Sequence, residues 1–218
     1  MENNVIVTTS LKGGVGKTSL CANFATFFVE QDIPVFVLDA DIQQSLSRHR
    51  KRDLEATPSA QVPWPVEFLN TTDIETVKKV MRRAKQLQCC VMIDCPGNIQ
   101  DPALQAIYEA ADIAIIPYEL NSDSVDATIM FAQLFKKNFK AKMFFIPNKV
   151  STVFEWRGEV RKAREDAMEA LDGKLGTVTP DMRLTTHLNG YSTIETYNWK
   201  KRAAIRDAFA PIFRSIKR

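Results

Sequence analysis

A chain of 218 residues with 45% hydrophobic and 25% charged side chains carries enough apolar surface for one hydrophobic core, which excludes an intrinsically disordered polymer. Its net charge of +3 is too mild to mark a nucleic-acid binder by itself, so the local distribution of charge matters more than its sum. No run approaches the roughly 18 apolar residues of a membrane span, and the N-terminus lacks a basic segment followed by an apolar run and a cleavage site, which places the expected location in the cytoplasm.

The apolar, β-branched runs lie at 4–9, 34–39, 90–94, 112–117 and 142–147, with stretches of helical length between them at about 17–31, 73–88, 101–111, 122–138, 155–171 and 195–216. Strand alternating with helix predicts an α/β fold, a doubly wound and mostly parallel sheet flanked by helices. Val91-Met92-Ile93 and Ile113-Ala114-Ile115-Ile116 are apolar on both faces, as strands covered on each side must be. Asp73 and Ser122 are the expected N-caps, because a short side-chain oxygen there can accept an unpaired N–H of the first turn. The stretch from Pro58 to Pro65 reads as a surface connection. Cys21, Cys89, Cys90 and Cys95 show no C-x-x-C pairing and read as small buried thiols.

The first strand runs into Lys12-Gly13-Gly14-Val15-Gly16-Lys17-Thr18-Ser19, followed by helix-forming sequence. Glycines allow positive φ and bring backbone N–H groups close to anionic oxygens, and the following helix adds its own unpaired donors. Lys17 is placed to reach the β- and γ-phosphates, Thr18 to ligate Mg2+, and Ser19 to add a hydroxyl near the α-phosphate. The strict phosphate-loop pattern fails at Leu11, where its first glycine would fall, and Lys12 follows instead.

That octapeptide resembles the deviant Walker A motif of the ParA/MinD family of ATPases, and Lys12 matches the family's signature lysine. The resemblance covers nearly the whole chain and implies ATP and Mg2+ as cofactors. It also implies a homodimer formed in the ATP state, in which Lys12 reaches the partner subunit's nucleotide as an arginine finger would.

Two strands end in carboxylates, at Val37-Leu38-Asp39-Ala40-Asp41 and at Val91-Met92-Ile93-Asp94-Cys95-Pro96-Gly97. Ligands of open α/β sheets bind at that edge, so Asp41 and Asp94 are expected beside Mg2+ and the attacking water. The first segment resembles the family's D-x-D-P-Q switch, with Asp41 as the residue that orients water, Asp39 behind it, and Ile42 where many members have proline. Asp94 matches the Walker B aspartate and Gly97 the small residue after it.

Further resemblances implicate Asn148 in reading the adenine edge and Pro180-Asp181 in backbone contacts to the base. Arg183 matches an arginine that helps to bind DNA without sequence preference, and Lys200, Lys201 and Arg202 in the basic last helix are expected to join it. A basic run at Arg48-His49-Arg50-Lys51-Arg52 directly follows the switch. The implied function is that of a short, ParF-like partition ATPase, one domain without an N-terminal helix-turn-helix, acting on the bacterial nucleoid with a ParB-like adaptor that stimulates hydrolysis. The alternatives are a MinD-like membrane regulator, for which Phe209, Ile212, Phe213 and Ile216 would form the apolar stripe, an ATPase that positions a protein cargo, and an iron-sulfur electron donor, for which a second suitably placed cysteine is missing. Core packing of that stripe is the favoured reading, and membrane contact is not expected.

Overall fold

The computed structural model describes residues 4–151, 153, 157–185, 191–196 and 199–216, the side chains of 199 and 200 excepted. Seven strands form one parallel sheet: β1 (Asn4–Thr8), β2 (Val35–Asp39), β3 (Val66–Phe68), β4 (Cys90–Asp94), β5 (Ile113–Tyr118), β6 (Lys142–Pro147) and β7 (Thr177–Val178), in the spatial order β3-β2-β4-β1-β5-β6-β7. Among the described residues seven helices surround it: α1 (Lys17–Val29), α2 (Ser45–Ala56), α3 (Ile74–Ala84), α4 (Pro102–Ala110), α5 (Ser122–Asn138), α6 (Gly158–Leu171) and α7 (Trp199–Ser215).

The strands are apolar on both sides because both sides are covered. Val5, Val7, Val91, Ile93, Ala114 and Ile116 face a core shared with α3, α4, α5 and α6, while Ile6, Met92, Ile113 and Ile115 face one shared with α1 and α7. The register matters for the site. Thr8 of β1 and Asp39 of β2 both pair with Asp94 of β4, so the central strands end level with one another and deliver their last residues to one edge.

Three elements lack a predicted counterpart. α2 buries only Leu46 and Arg50, so the apolar periodicity that marks a helix is absent from its sequence. β3 is three residues long and half exposed, and β7 two, both too short for an alternation to show. The expected surface connection at 58–65 needs correction at Trp64, which is fully buried and donates its indole N–H to the Thr26 hydroxyl at 3.1 Å.

Asp73 caps α3 as expected, accepting from the N–H of Glu75 at 3.0 Å. Ser122 does not cap α5. Asn121, one residue earlier, accepts from the N–H of Ser124 at 2.9 Å, because its longer side chain reaches that donor from an extended backbone. The last helix starts at Trp199, with 195–196 outside it, and Pro211 sits within it.

Candidate functional site

At the exit of β1, Thr8, Thr9 and Ser10 are buried and the chain then opens into an exposed loop ending at Gly16, the N-cap of α1. Gly14 and Gly16 have φ of 77° and 98°, a region closed to most side-chain-bearing residues. A Cβ at Gly16 would also collide with the Asn148 amide. No side chain caps α1, so the N–H groups of its first turn face the loop without a side-chain acceptor, as an anion cradle requires. Ser19 donates its hydroxyl to the Gly16 carbonyl at 3.0 Å, and Val15 is buried, presenting only its backbone to the loop.

The two lysines of the motif occupy different places. Lys17 donates to the carbonyl of Lys12 at 3.3 Å, and so rests on its own loop. Lys12 lies 3.9 Å from Asp123 in the first turn of α5, a loose pair of exposed groups with at most about 1 kcal/mol to hold it.

Asp94 has the most unusual carboxylate of the site. It is 1% exposed at the end of β4, and neither oxygen has a hydrogen-bond partner among the described residues. Burial pushes its pKa up to about 7; the Thr18 hydroxyl opposes this, Asp39 and Asp41 reinforce it, and Lys17 lowers it. Lys17, Thr18, Asp39 and Asp41 are thus all close enough to act on Asp94. Unpaired buried carboxylate oxygens beside a hydroxyl form a hard, oxygen-only donor set that fits Mg2+. Among the described residues no group of three His, Cys, Asp or Glu side chains makes a metal cage, and Mg2+ on phosphates does not need one.

Asp39 is fully buried and already committed. It accepts from the N–H of Asp41 at 3.3 Å and from that of Ser47 at 2.9 Å, so it braces the switch and the first turn of α2. Asp41 accepts from the N–H of Gln43 at 2.9 Å and remains partly exposed. Gly97 supplies a close approach: a Cβ there would meet the backbone of Ser10 and Leu11, so glycine lets the exit of β4 abut the entrance of the phosphate loop. Cys95 is fully buried beside Asp94.

Asn148 sits at the end of β6 and donates its amide to the Val15 carbonyl at 2.8 Å, which ties the phosphate loop to the sheet. Lys149, absent from the sequence reading, has a positive φ of 56° and reaches both the Gly14 carbonyl and Glu119, the latter at 3.0 Å. Its proximity to Asn148 is the only trace of this role in the sequence, since the αL turn that aims it cannot be read there. Pro180-Asp181 lies beside this turn, with Met182 donating its N–H to the Pro147 carbonyl at 2.8 Å. The Asp181 carboxylate is held by Arg164 through two hydrogen bonds of 2.8 and 2.7 Å, which leaves backbone as what this segment offers a base.

The expected DNA-contacting residues separate. Arg183 is exposed. Arg202 pairs with Glu30 at 3.0 Å, and Lys201 is half-buried, its pKa lowered by burial against the opposing pull of Glu195 and Glu30. The side chain of Lys200 lies outside the described residues. The apolar stripe of α7 is spent in the core, with Phe209 stacked on Phe24 at 3.5 Å between centroids and Ile212 and Ile216 buried. No helix among the described residues is long and apolar enough to cross a membrane.

The basic run after the switch belongs to α2, and its middle residue serves packing. Arg50 lies 4.3 Å over the Trp64 ring and donates to the hydroxyl and carbonyl of Thr193, both at 2.9 Å. Burial lowers its pKa to about 10, and Asp53 opposes that. Asp53 in turn accepts from the N–H and hydroxyl of Thr193 at 2.7 Å each, and His49 stacks on Tyr191.

A glycine-rich loop opening a helix, a buried strand-end aspartate and a parallel sheet define a P-loop nucleotide-binding protein. Residues 6–168 match the model of the CobQ/CobB/MinD/ParA nucleotide binding domain, and the chain belongs to that family. It is 26% identical over 125 residues to Protein ParA of Rhizobium radiobacter; the match takes in 57% of this chain and spans about half, 52%, of the relative's length. Its fold is shared with a chain of the MinC:MinD cell division protein complex of Aquifex aeolicus, at a TM-score of 0.74 and 21% identity over 99% of this chain and 98% of the other. A putative plasmid partition protein of Borrelia burgdorferi bound to AMPPNP matches at a TM-score of 0.70 and 17% identity, over 97% and 100% of the two chains.

Proposed function

We propose that this chain is a partition or positioning ATPase that dimerises on binding ATP, holds DNA without sequence preference in that state, and releases it when an adaptor of ParB type stimulates hydrolysis. The observation that carries the reading is the buried, unpaired Asp94 carboxylate next to Lys17 and Thr18, an arrangement with a use only when a cation and phosphates arrive. In this reading Lys17 leaves the Lys12 carbonyl for the β- and γ-phosphates, and the loop N–H groups bind the remaining oxygens. Thr18, Asp41 and Asp94 would hold Mg2+, which supplies charge neutralisation at the phosphate oxygens.

Asp41 orients the attacking water, and Asp39 keeps Asp41 in place by accepting its N–H. Lys12, weakly held by Asp123, is free to reach the nucleotide of a second subunit, where its charge would stabilise the transition state. Asn148 and the backbone of Pro180-Asp181 flank the base. DNA contact involves Arg183, with Lys200, Lys201 and Arg202 as the further candidates. The cell compartment that fits is the bacterial cytoplasm at the nucleoid, and the cargo is DNA or a protein assembly.

Light scattering with Mg-ATP tests this directly. The wild-type chain should move from monomer to dimer and Asp41→Ala should stay dimeric with negligible turnover, while Lys12→Ala should remain monomeric and fail to respond to the adaptor. Stimulated turnover at the wild-type rate in Lys12→Ala overturns the assignment.

A further inference from the structure

Among the described residues, a concentration of positive charge lies on the outer face of α3, away from the phosphate loop and its neighbours. Its inner positions, Val77, Met81 and Ala84, are buried under the sheet. The outer positions Lys78, Lys79, Arg82 and Arg83, with Lys85 just beyond the helix, are all cationic and all exposed. From Asp73 to Gln86 there are five cations against two acids, a surplus as large as the net charge of the entire chain, +3.

Helix stability does not call for this pattern. Lys78 with Arg82 and Lys79 with Arg83 are like charges at i,i+4, each costing a few tenths of a kcal/mol where a glutamate would have gained as much. Arg82 and Arg83 in the last turn complement the helix dipole, but Lys78 and Lys79 stand too early to do so. Lys78 pairs with Glu75 at 2.9 Å, and Lys79, Arg82, Arg83 and Lys85 form no ion pair with a described residue. A shallow depression lined by Lys79, Arg82, Arg83, Thr76, Val80 and Gln86 contains no acid, whereas the groove on the α4 side includes Glu109.

We propose that the outer face of α3 is a surface for the phosphate backbone of duplex DNA; this rests on the reading of the chain as a DNA-binding ATPase. The row from Lys78 to Lys85 extends about 10.5 Å at 1.5 Å per residue, which matches about three phosphates of one strand at their 3.4 Å axial rise. Gln86 adds a neutral donor of the kind that positions a backbone without reading sequence. An anionic membrane fits less well, because the apolar side of α3 is already used by the core and only charge is left to offer. Three cations of α7 are less available, with Arg202 on Glu30, Arg206 on Asp207 and Lys201 half-buried.

The test is fluorescence anisotropy of a labelled random duplex with Mg-ATP between about 50 and 200 mM salt, comparing wild type, the double variant Lys79→Glu/Arg83→Glu and Arg183→Glu. The double variant should bind at least about tenfold more weakly, with a salt slope shallower by about 2, since each phosphate contact contributes close to 0.9. Its Tm should match that of the wild type, and Lys79→Gln/Arg83→Gln should reproduce the change in slope without reversing charge. Wild-type affinity and slope in both double variants, with loss only in Arg183→Glu, overturn this inference and leave the proposed function standing. A wild-type chain that binds no duplex in any nucleotide state overturns both. Duplex binding that is unaffected by the double variants while binding to phosphatidylserine vesicles is lost assigns the face to membrane and overturns it as well.

Discussion

The Asn148 amide donates to the Val15 carbonyl at 2.8 Å, so the end of β6 grips the phosphate loop from behind. The bond is buried, and Lys149 repeats the grip on the adjacent Gly14 carbonyl. Asn148 therefore sets the shape of the phosphate cradle.

Replacing Asn148 by Ala should leave the buried Val15 carbonyl without its donor, at a cost of about 1 to 3 kcal/mol in the organised loop. ATP affinity should fall by about 5- to 150-fold in a fluorescent-nucleotide titration, with little change in far-UV circular dichroism. Lys149→Met should act in the same direction and more weakly, since its partners are exposed. Unchanged affinity in Asn148→Ala would show that the loop holds its shape without β6.

Asp94 should make the nucleotide-free protein sensitive to pH. Its pKa is raised from the ordinary 3.8 to about 7, so the folded state holds a proton that the unfolded chain releases. The stabilising effect of that proton is complete below about pH 4 and is lost as pH rises through 7, leaving up to about 4 kcal/mol of destabilisation in the ionised state. Asp94→Asn should accordingly melt above the wild type at pH 8 without Mg2+, the difference shrinking as pH falls below 7 and vanishing only below about pH 4. The same variant should lose Mg-dependent nucleotide binding. A difference in Tm that does not vary with pH would mean that Asp94 stays ionised when buried.

The phosphate loop and both strand-end aspartates were legible because each is a local pattern, a fixed spacing of glycine, lysine and hydroxyl or an apolar run ending in Asp. What could not be read is long-range. Lys149 meets Gly14 across 135 residues, and Arg50 meets Thr193 across 143. The run from Arg48 to Arg52 looks like a solvated basic stretch in one dimension, yet its middle residue is buried against Trp64, because cation–π stacking and two hydrogen bonds offset the loss of water. Short-range capping was similarly ambiguous: Asn121 and Ser122 are both good caps, and only the backbone angle distinguishes them.

Thr193 joins α2 to the segment before α7 through four hydrogen bonds, two from Arg50 and two to Asp53. Thr193→Val removes the hydroxyl from a fully buried position while conserving shape, so both charged partners lose a contact. The expected loss is about 1 to 3 kcal/mol by urea unfolding, accompanied by a change in tryptophan emission as Arg50 shifts on Trp64. Stability equal to the wild type would show that the backbone bonds of Thr193 suffice.

Phe209 decides between the two uses of α7. It is fully buried, stacks on Phe24 at 3.5 Å and meets Phe27 edge-on at 5.5 Å, so its removal should leave a cavity between α7 and α1. Phe209→Ala should cost about 3 to 5 kcal/mol, because the two helices are anchored to the sheet and cannot close the gap. For a domain of this size that is a fall of about 6 to 20 °C in Tm. A helix that instead served a membrane would keep its apolar stripe outside the core, and the same replacement would leave Tm unchanged while reducing sedimentation with liposomes. The pairing of a large drop in Tm with unaltered liposome sedimentation is the outcome expected here, since the aromatic contacts that would be needed for insertion already hold α7 against α1.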